Sequence, residues 1–97
     1  MSAYIIFIRE QTRDADEMQT YASMVTAIFG SIDAEVLAAY GAQEVLDGPA
    51  PEGVVIAKFA SMDAARAFYH RPDYQAAVKH RFLGADFRTI QVQGLDA

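Results

Sequence analysis

The sequence of 97 residues contains no cysteine. Without thiols the chain can form no disulfide bond, use no thiolate nucleophile and build no cysteine-based zinc site. Basic residues are also few, because 8 lysines and arginines stand against 13 acidic residues and give a net charge of -5. A negative surface repels phosphate backbones and anionic lipid headgroups, so we expect neither nucleic acid nor a membrane as a partner.

Long hydrophobic runs and the common enzyme fingerprints are missing as well. The apolar stretch within the opening MSAYIIFIRE is short and follows no basic region. It therefore resembles neither a signal peptide nor a membrane span, and we expect a cytoplasmic protein. The sequence has no glycine-rich phosphate loop, acidic metal cluster, dinucleotide fingerprint or GxSxG turn. We accordingly expect no cofactor and no bound metal.

Hydrophobic residues, in contrast, are abundant. They make up 53% of the chain, whereas globular proteins typically contain about 45 to 50%. A chain of this length buries only roughly 60 to 65% of its unfolded surface when it folds alone. The surplus of apolar residues suggests a surface that needs a partner.

Hydrophobic periodicity predicts one α+β domain over residues 1–97. Strands are indicated by apolar, β-branched and aromatic runs, and helices by apolar stripes with a spacing of three and four residues. We predict strands at 3–9, 35–47, 54–59 and 87–93, and helices at 15–29, from Ser61 and from Pro72 to Gly84. This order predicts a ferredoxin-like βαββαβ fold with a four-stranded antiparallel sheet and helices on one face.

Several local signals refine this prediction. Asp14 is expected to cap the first helix, with Glu17 reaching back to it. Gly41 is expected at a bend or bulge of the second strand. The stripe of the last helix consists of Tyr74, Ala77, Val78, Arg81 and Phe82.

The first and third strands predict a dimer. Their segments YIIFI and VVIA are apolar on both alternating faces, although a sheet with helices on one side should be polar on its other side if that side meets water. The sheet of a second copy would cover this apolar face. Alternatively, loops of the same chain cover it.

Four segments together resemble the bacterial domain-of-unknown-function family 1330 of the dimeric α/β barrel superfamily. They are AYIIFIRE, AAYGAQEVLDG, FASMDAARAFYHRPDYQAAVKHR and GADFRTIQVQG, and they cover nearly the whole chain. The resemblance implies a homodimer whose two sheets face each other, and it implies no established activity. Arg71 departs from the family pattern, which has a small capping residue before the helical proline.

Two arginines lie where packing favours apolar side chains. A buried guanidinium needs an acidic or polar partner, which Glu44, Asp86 or an anionic ligand could supply to Arg81. Alternatively, Arg81 reaches the surface along its aliphatic stem. We expect Arg88 to lie beside Glu44 or Arg81 around a polar patch near the sheet.

Tyrosines and histidines complete the set of candidates. Tyrosine hydroxyls could line a pocket between sheet and helices, although most aromatic residues at this spacing belong to the core. His70 is expected at a helix end, and His80 lies beside the apolar stripe, where surface exposure is the commoner outcome. The candidate ligand-binding residues are Tyr40, Glu44, Tyr69, Tyr74, His80, Arg81 and Arg88. No catalytic residue is identified.

Three functions remain open at this point. The first is a homodimeric small-molecule protein, including a cofactor-independent enzyme that acts on an organic acid or an aromatic metabolite. The second is a ligand-binding or regulatory dimer without turnover. The third is dimerisation without any ligand, which requires that no enclosed pocket exists. Whether the protein is an enzyme is not decided by its sequence.

Overall fold

The computed structural model describes residues 1–95 and contains four strands and three helices in that range. Their bounds are β1 Ala3–Thr12, α1 Ala15–Phe29, β2 Ala34–Ala39, β3 Gly53–Phe59, α2 Met62–Tyr69, α3 Pro72–Gly84 and β4 Ala85–Gln93. The strands form one antiparallel sheet in the order β2-β3-β1-β4. The predicted ferredoxin-like α+β fold is confirmed.

Helix α1 begins at a side-chain cap. The Asp14 carboxylate accepts hydrogen bonds from the backbone N–H groups of Asp16 at 3.1 Å and Glu17 at 3.3 Å, which satisfies amides that the helix cannot pair internally. The Glu17 carboxylate does not return to the cap as predicted. Its Oε2 lies 2.6 Å from Nδ1 of His80, so this glutamate links α1 to α3.

Arg71 occupies the capping position before helix α3, but its side chain makes no capping hydrogen bond. Arg71 instead donates through Nε and Nη2 to the two carboxylate oxygens of Asp73, and Oδ1 of Asp73 accepts from the backbone N–H of Tyr74 at 2.8 Å. The hydrogen bond from Arg71 lowers the pKa of the Asp73 carboxyl. Arg71 thus supports the first turn of the helix indirectly, because it holds the Asp73 carboxylate that accepts the Tyr74 N–H.

The core lies between the helices and one face of the sheet. Ile5, Phe7, Ala57 and Phe59 project from the strands into it. Rings from all three helices continue it, since the ring centroid of Phe68 lies 5.0 Å from that of Phe29 and 4.5 Å from that of Tyr74. One member of the predicted α3 stripe lies outside the core, since Phe82 is exposed; it is adjacent to Arg81, which turns inward.

The second strand is shorter than predicted. It ends at Ala39, and residues 41–46 contain neither helix nor strand. Gly41 sits in open space outside the ladder, while the register irregularity falls between Val36 and Ala38. Tyr40 has a φ of 56°, a left-handed conformation that turns the chain out of the strand. The predicted bend at Gly41 is therefore wrong; the chain leaves the strand one residue earlier.

The sheet face opposite the helices is apolar. Ile6 of β1 pairs directly with Ile56 of β3 and Ile90 of β4, so three isoleucines form a row across three strands. Val54 and Val92 extend this surface on either side. None of these side chains is fully buried within the chain. Among residues 1–95, no helix is long and apolar enough to cross a membrane.

Candidate functional site

A pocket of about 310 Å³ lies on the helix side of the sheet. Helix α1 forms one wall, and it packs mainly along α3, which leaves space between part of α1 and the strands. The floor and the remaining walls come from all four strands and from Tyr40. The lining side chains are mostly apolar and include Phe7, Met18, Tyr21, Val25, Phe29 and Phe87. Pockets of this size and character accommodate small organic molecules.

A buried arginine lies behind this pocket. Arg81 is only 2% exposed, and its guanidinium carbon is 5.0 Å from the ring centroid of Phe87 and 5.8 Å from that of Phe7. Both rings line the pocket. The positive charge thus lies one layer of aromatic rings away from the cavity, in surroundings that screen it weakly.

Tyrosines rather than carboxylates hold this arginine. Nη1 of Arg81 donates to the Tyr74 hydroxyl and Nη2 to the Tyr69 hydroxyl, each at 3.2 Å. Its Nε is buried without an acceptor. Among the ion pairs of residues 1–95, none involves Arg81. The carboxylates expected to pair with Arg81 lie elsewhere. Glu44 is exposed beyond β2, and Oδ1 of Asp86 lies 3.0 Å from Nε of Arg13.

The tyrosines do not neutralise the charge of Arg81. The Tyr74 hydroxyl is 2.8 Å from that of Tyr21, and burial, followed by the adjacent Tyr21, raises the pKa of Tyr74 far above its ordinary value. Burial also raises the pKa of Tyr21. Both phenols therefore stay protonated at neutral pH, and Arg81, which is always charged, keeps an uncompensated positive charge.

A second arginine lines the pocket itself. The guanidinium carbon of Arg9 lies 4.5 Å from the ring centroid of Tyr40, and its buried Nε has no hydrogen-bond acceptor. Oε1 of Glu52 is 3.5 Å from that nitrogen, but the Glu52 carboxylate receives its hydrogen bonds from the amide and hydroxyl of Thr12, at 2.7 and 2.6 Å. Arg9 therefore forms an ion pair with Glu52, but its Nε keeps a free hydrogen-bonding position.

Tyr40 is fixed at this edge of the pocket by Gly53. A Cβ atom at Gly53 would lie 2.4 Å from Cδ1 of Tyr40, so the ring packs directly on the glycine backbone. Burial raises the pKa of Tyr40, while the charges of Arg9 and Arg81 lower it. Both arginines therefore act electrostatically on the same part of the pocket.

The remaining candidates lie away from this pocket. Arg88 is 65% exposed and pairs with Glu10, whose Oε1 is 2.5 Å from its Nε; the expectation that Arg88 lies beside Glu44 or Arg81 is wrong. The strand alternation explains this, because Phe87 faces the helices and its neighbour must face the opposite side. His80 pairs with Glu17, and His70 ends α2.

Arg9 and Gly53 were not among the candidates from the sequence. Arg9 follows Ile5 and Phe7 at a spacing of two, which places it on the same face of β1 as the core residues. That spacing was the signal for an inward-facing arginine. Gly53 ends a turn-rich segment, and nothing in its sequence context indicates a tyrosine ring 13 residues earlier in the chain.

The fold and the pocket define a ferredoxin-like α+β protein with a cavity between its sheet and its helices. A family model described as "Domain of unknown function (DUF1330)" matches residues 2–95, and the chain belongs to this family. The comparison with curated proteins finds no match.

Solved structures share the fold at low sequence identity. A protein of unknown function from Rhodopseudomonas palustris has a TM-score of 0.77 and 22% identity, over 99% of this chain and 84% of that chain. A dimeric ferredoxin-like protein of unknown function from Thermobifida fusca has a TM-score of 0.66 and 20% identity, over 97% and 92%. SnoaB, a cofactor-independent oxygenase from Streptomyces nogalater, has a TM-score of 0.57 and 10% identity, over 99% and 94%.

Proposed function

We propose that this protein is a homodimer that binds a small organic anion with an apolar or aromatic body in the pocket beneath α1. The observation that carries this proposal is the pairing of an apolar cavity with two arginines whose Nε atoms are buried without hydrogen-bond acceptors. Arg9 has the carboxylate of Glu52 nearby, whereas Arg81 has none, and a buried guanidinium without a carboxylate is costly for folding. A bound anion would supply the missing negative charge.

The two arginines have different roles in this proposal. Arg9 lines the cavity and can donate a charge-assisted hydrogen bond to a carboxylate. Arg81 lies behind the rings of Phe7 and Phe87 and attracts the anion through its field. The apolar walls bury the hydrocarbon part of the ligand. This burial is favourable because it removes apolar surface from water.

An enzyme that acts on an organic acid or an aromatic metabolite is the catalytic form of this proposal. The charges at the pocket would stabilise an oxyanion that develops on the substrate. The tyrosines would serve as hydrogen-bond donors rather than bases, because their raised pKa keeps them protonated. The alternative is a binding or regulatory dimer that releases its ligand unchanged, and analysis of a bound ligand after prolonged incubation would separate the two.

We predict that 3-phenylpropionate binds at least tenfold more tightly than 3-phenylpropanamide. The two molecules have the same apolar body, and only the first has the negative charge that the arginines favour; charge-assisted hydrogen bonds contribute about 1.5 to 3 kcal/mol. Isothermal titration calorimetry at neutral pH measures both affinities. Equal affinities, or no binding of either molecule, would contradict the proposed anion site.

We also predict that the protein is a dimer at micromolar concentration, because the isoleucine row at Ile6, Ile56 and Ile90 would otherwise face water. The dimeric neighbour from Thermobifida fusca supports this proposal. A specific interface of this kind buries roughly 1,600 Å². Because apolar burial is not screened by ions, the dimer should persist at high salt.

The substitution Ile6→Glu should convert the dimer to a monomer, since it places a charge in the centre of the apolar face. Leu83→Glu is the matched control, because Leu83 is an exposed residue of α3 in the helix layer. Light scattering reports the mass of each variant. A monomeric wild-type protein, or an Ile6→Glu variant that remains dimeric, would refute the interface.

A further inference from the structure

The pocket beneath α1 is elongated. Its lining residues on this helix extend from Met18 to Phe29, a distance of roughly 16 Å at about 1.5 Å per residue. The two ends meet different parts of the fold. A Cβ atom at Gly84 would lie 2.9 Å from Cγ of Met18, whereas the ring centroid of Phe29 lies 5.0 Å from that of Phe68 in α2.

The sheet lines the pocket over a comparable distance. Arg9 pairs with the first residue of β3. Val36 pairs with Ala57, four residues further along β3, and four residues of a strand extend over about 13 Å. Met18 belongs to the end of Arg9, because its neighbour Gly84 directly precedes β4, and the start of β4 pairs with β1 beyond Arg9. Arg9 and Val36 therefore lie at opposite ends of the pocket.

Positive charge is confined to one of these ends. Among the described residues that line the pocket, Arg9 alone is charged. The guanidinium carbon of Arg81 lies behind the same end, 5.0 Å from the ring of Phe87, which pairs with Arg9. The lining residues of the opposite end include Phe29 and Val36 and are apolar. The pocket thus has a cationic end and an apolar end.

The hydroxyl groups between the two ends are engaged within the protein. Thr26 donates to the Ala22 carbonyl of its own helix at 2.8 Å. The Tyr21 hydroxyl lies 2.8 Å from the hydroxyl of Tyr74. The middle of the pocket therefore favours a hydrocarbon part of the ligand over a polar one.

The pocket opens along its side, between α1 and β2. Its exposed lining residues are Ala22 and Thr26 on α1 and Val36, Ala39 and Tyr40 on or directly after β2. Phe7 and Tyr21 are buried and close the pocket on the side away from this opening. A ligand can therefore enter along the length of the pocket and needs no passage through the core.

We infer that the ligand of this pocket is an extended anion, namely a carboxylate with an unbranched hydrocarbon chain. This inference rests on the proposed function, because it specifies the ligand of the same site. The carboxylate lies at Arg9, and the chain follows α1 towards Phe29 and Val36. A medium-chain fatty acid has this shape and this distribution of charge.

The test compares octanoate with its isomer 2-propylpentanoate. The two acids have the same composition and the same charge, but only octanoate can extend along the whole pocket. We expect octanoate to bind at least about tenfold more tightly, because each additional buried methylene group strengthens binding about fourfold. Isothermal titration calorimetry at neutral pH measures both affinities.

Two variants locate the ends of the chain. Val36→Phe narrows the apolar end and should weaken the binding of octanoate about fivefold or more, since it displaces at least one methylene group, while the shorter hexanoate is little affected. Arg9→Met removes the charge at the other end and should weaken both acids by the same factor. Leu37→Phe is the matched control, because Leu37 is exposed on the same strand and does not line the pocket.

The outcomes separate this inference from the proposed function. Similar wild-type affinities for octanoate and 2-propylpentanoate, together with binding of 3-phenylpropionate, would overturn the extended ligand alone. Octanoate binding that is unchanged in Val36→Phe would also overturn it. If neither octanoate nor 3-phenylpropionate binds, the proposed function fails together with this inference.

Discussion

Replacing Arg81 with methionine is expected to weaken the binding of 3-phenylpropionate roughly tenfold to hundredfold while the melting temperature stays the same or rises. A unit charge about 7 Å from an anion contributes about 2 kcal/mol at an effective dielectric constant of about 20, and the substitution removes this attraction. Calorimetric titration measures the loss of affinity, and thermal unfolding measures the change in stability.

The expected gain in stability follows from the surroundings of Arg81. Burial of its charge costs desolvation energy, and no carboxylate among residues 1–95 repays this cost. Replacing a buried ion pair by apolar residues of similar volume is often neutral or stabilising by about 1 to 4 kcal/mol, and the same desolvation argument applies to the single charge of Arg81. The Tyr74 hydroxyl keeps its hydrogen bond to Tyr21. A residue that costs stability and supports binding is typical of functional sites.

Arg66→Met is the control for this experiment. Arg66 is exposed on α2 and pairs with Asp63, so its removal changes the net charge equally without affecting the pocket. We expect both its affinity for the anion and its melting temperature to change little, since exposed ion pairs contribute roughly 0 to 1 kcal/mol. An Arg81→Met variant that is strongly destabilised, or that binds the anion normally, would show that Arg81 serves the core alone.

The second large effect is expected at Gly53. The substitution Gly53→Ala places a methyl group 2.4 Å from Cδ1 of Tyr40, which is far closer than two carbon atoms can approach. The Tyr40 ring must leave its position between this backbone and Arg9. Overpacking of this kind costs about 1 to 3 kcal/mol of unfolding free energy, and the displaced ring should also weaken anion binding. Chemical denaturation and titration with 3-phenylpropionate measure the two effects.

Gly41→Ala provides the matched control, because a Cβ atom there meets nothing within 4 Å. This variant should keep the wild-type stability or gain a few tenths of a kcal/mol, since alanine restricts the unfolded chain. A double-mutant cycle with Tyr40→Ala identifies the cause. If the clash with the ring is responsible, adding Gly53→Ala to Tyr40→Ala should cost almost nothing. Additive losses would instead assign the effect to the β3 backbone.

The sequence by itself determined the order of the strands and helices and the fold class. These features are local. The stripe of α1 and the cap at Asp14 depend on residues of one helix and its start, and the apolar runs of β1 and β3 depend on residues of one strand each. Their periods follow from helix and strand geometry, so they are visible in a local stretch of sequence. For Arg81 the apolar stripe of α3 left two alternatives, a buried position or a surface position, and the structure shows the buried one.

Only the tertiary structure decided which of these residues meet. Arg88 pairs with Glu10 rather than Glu44 because of the register between β1 and β4, and Tyr40 rests on Gly53 because its left-handed backbone turns the chain out of β2. Neither the register nor the turn leaves a local pattern. The physical reason is that such contacts join residues far apart in the chain, and their free energy depends on how the whole sheet and its helices pack together.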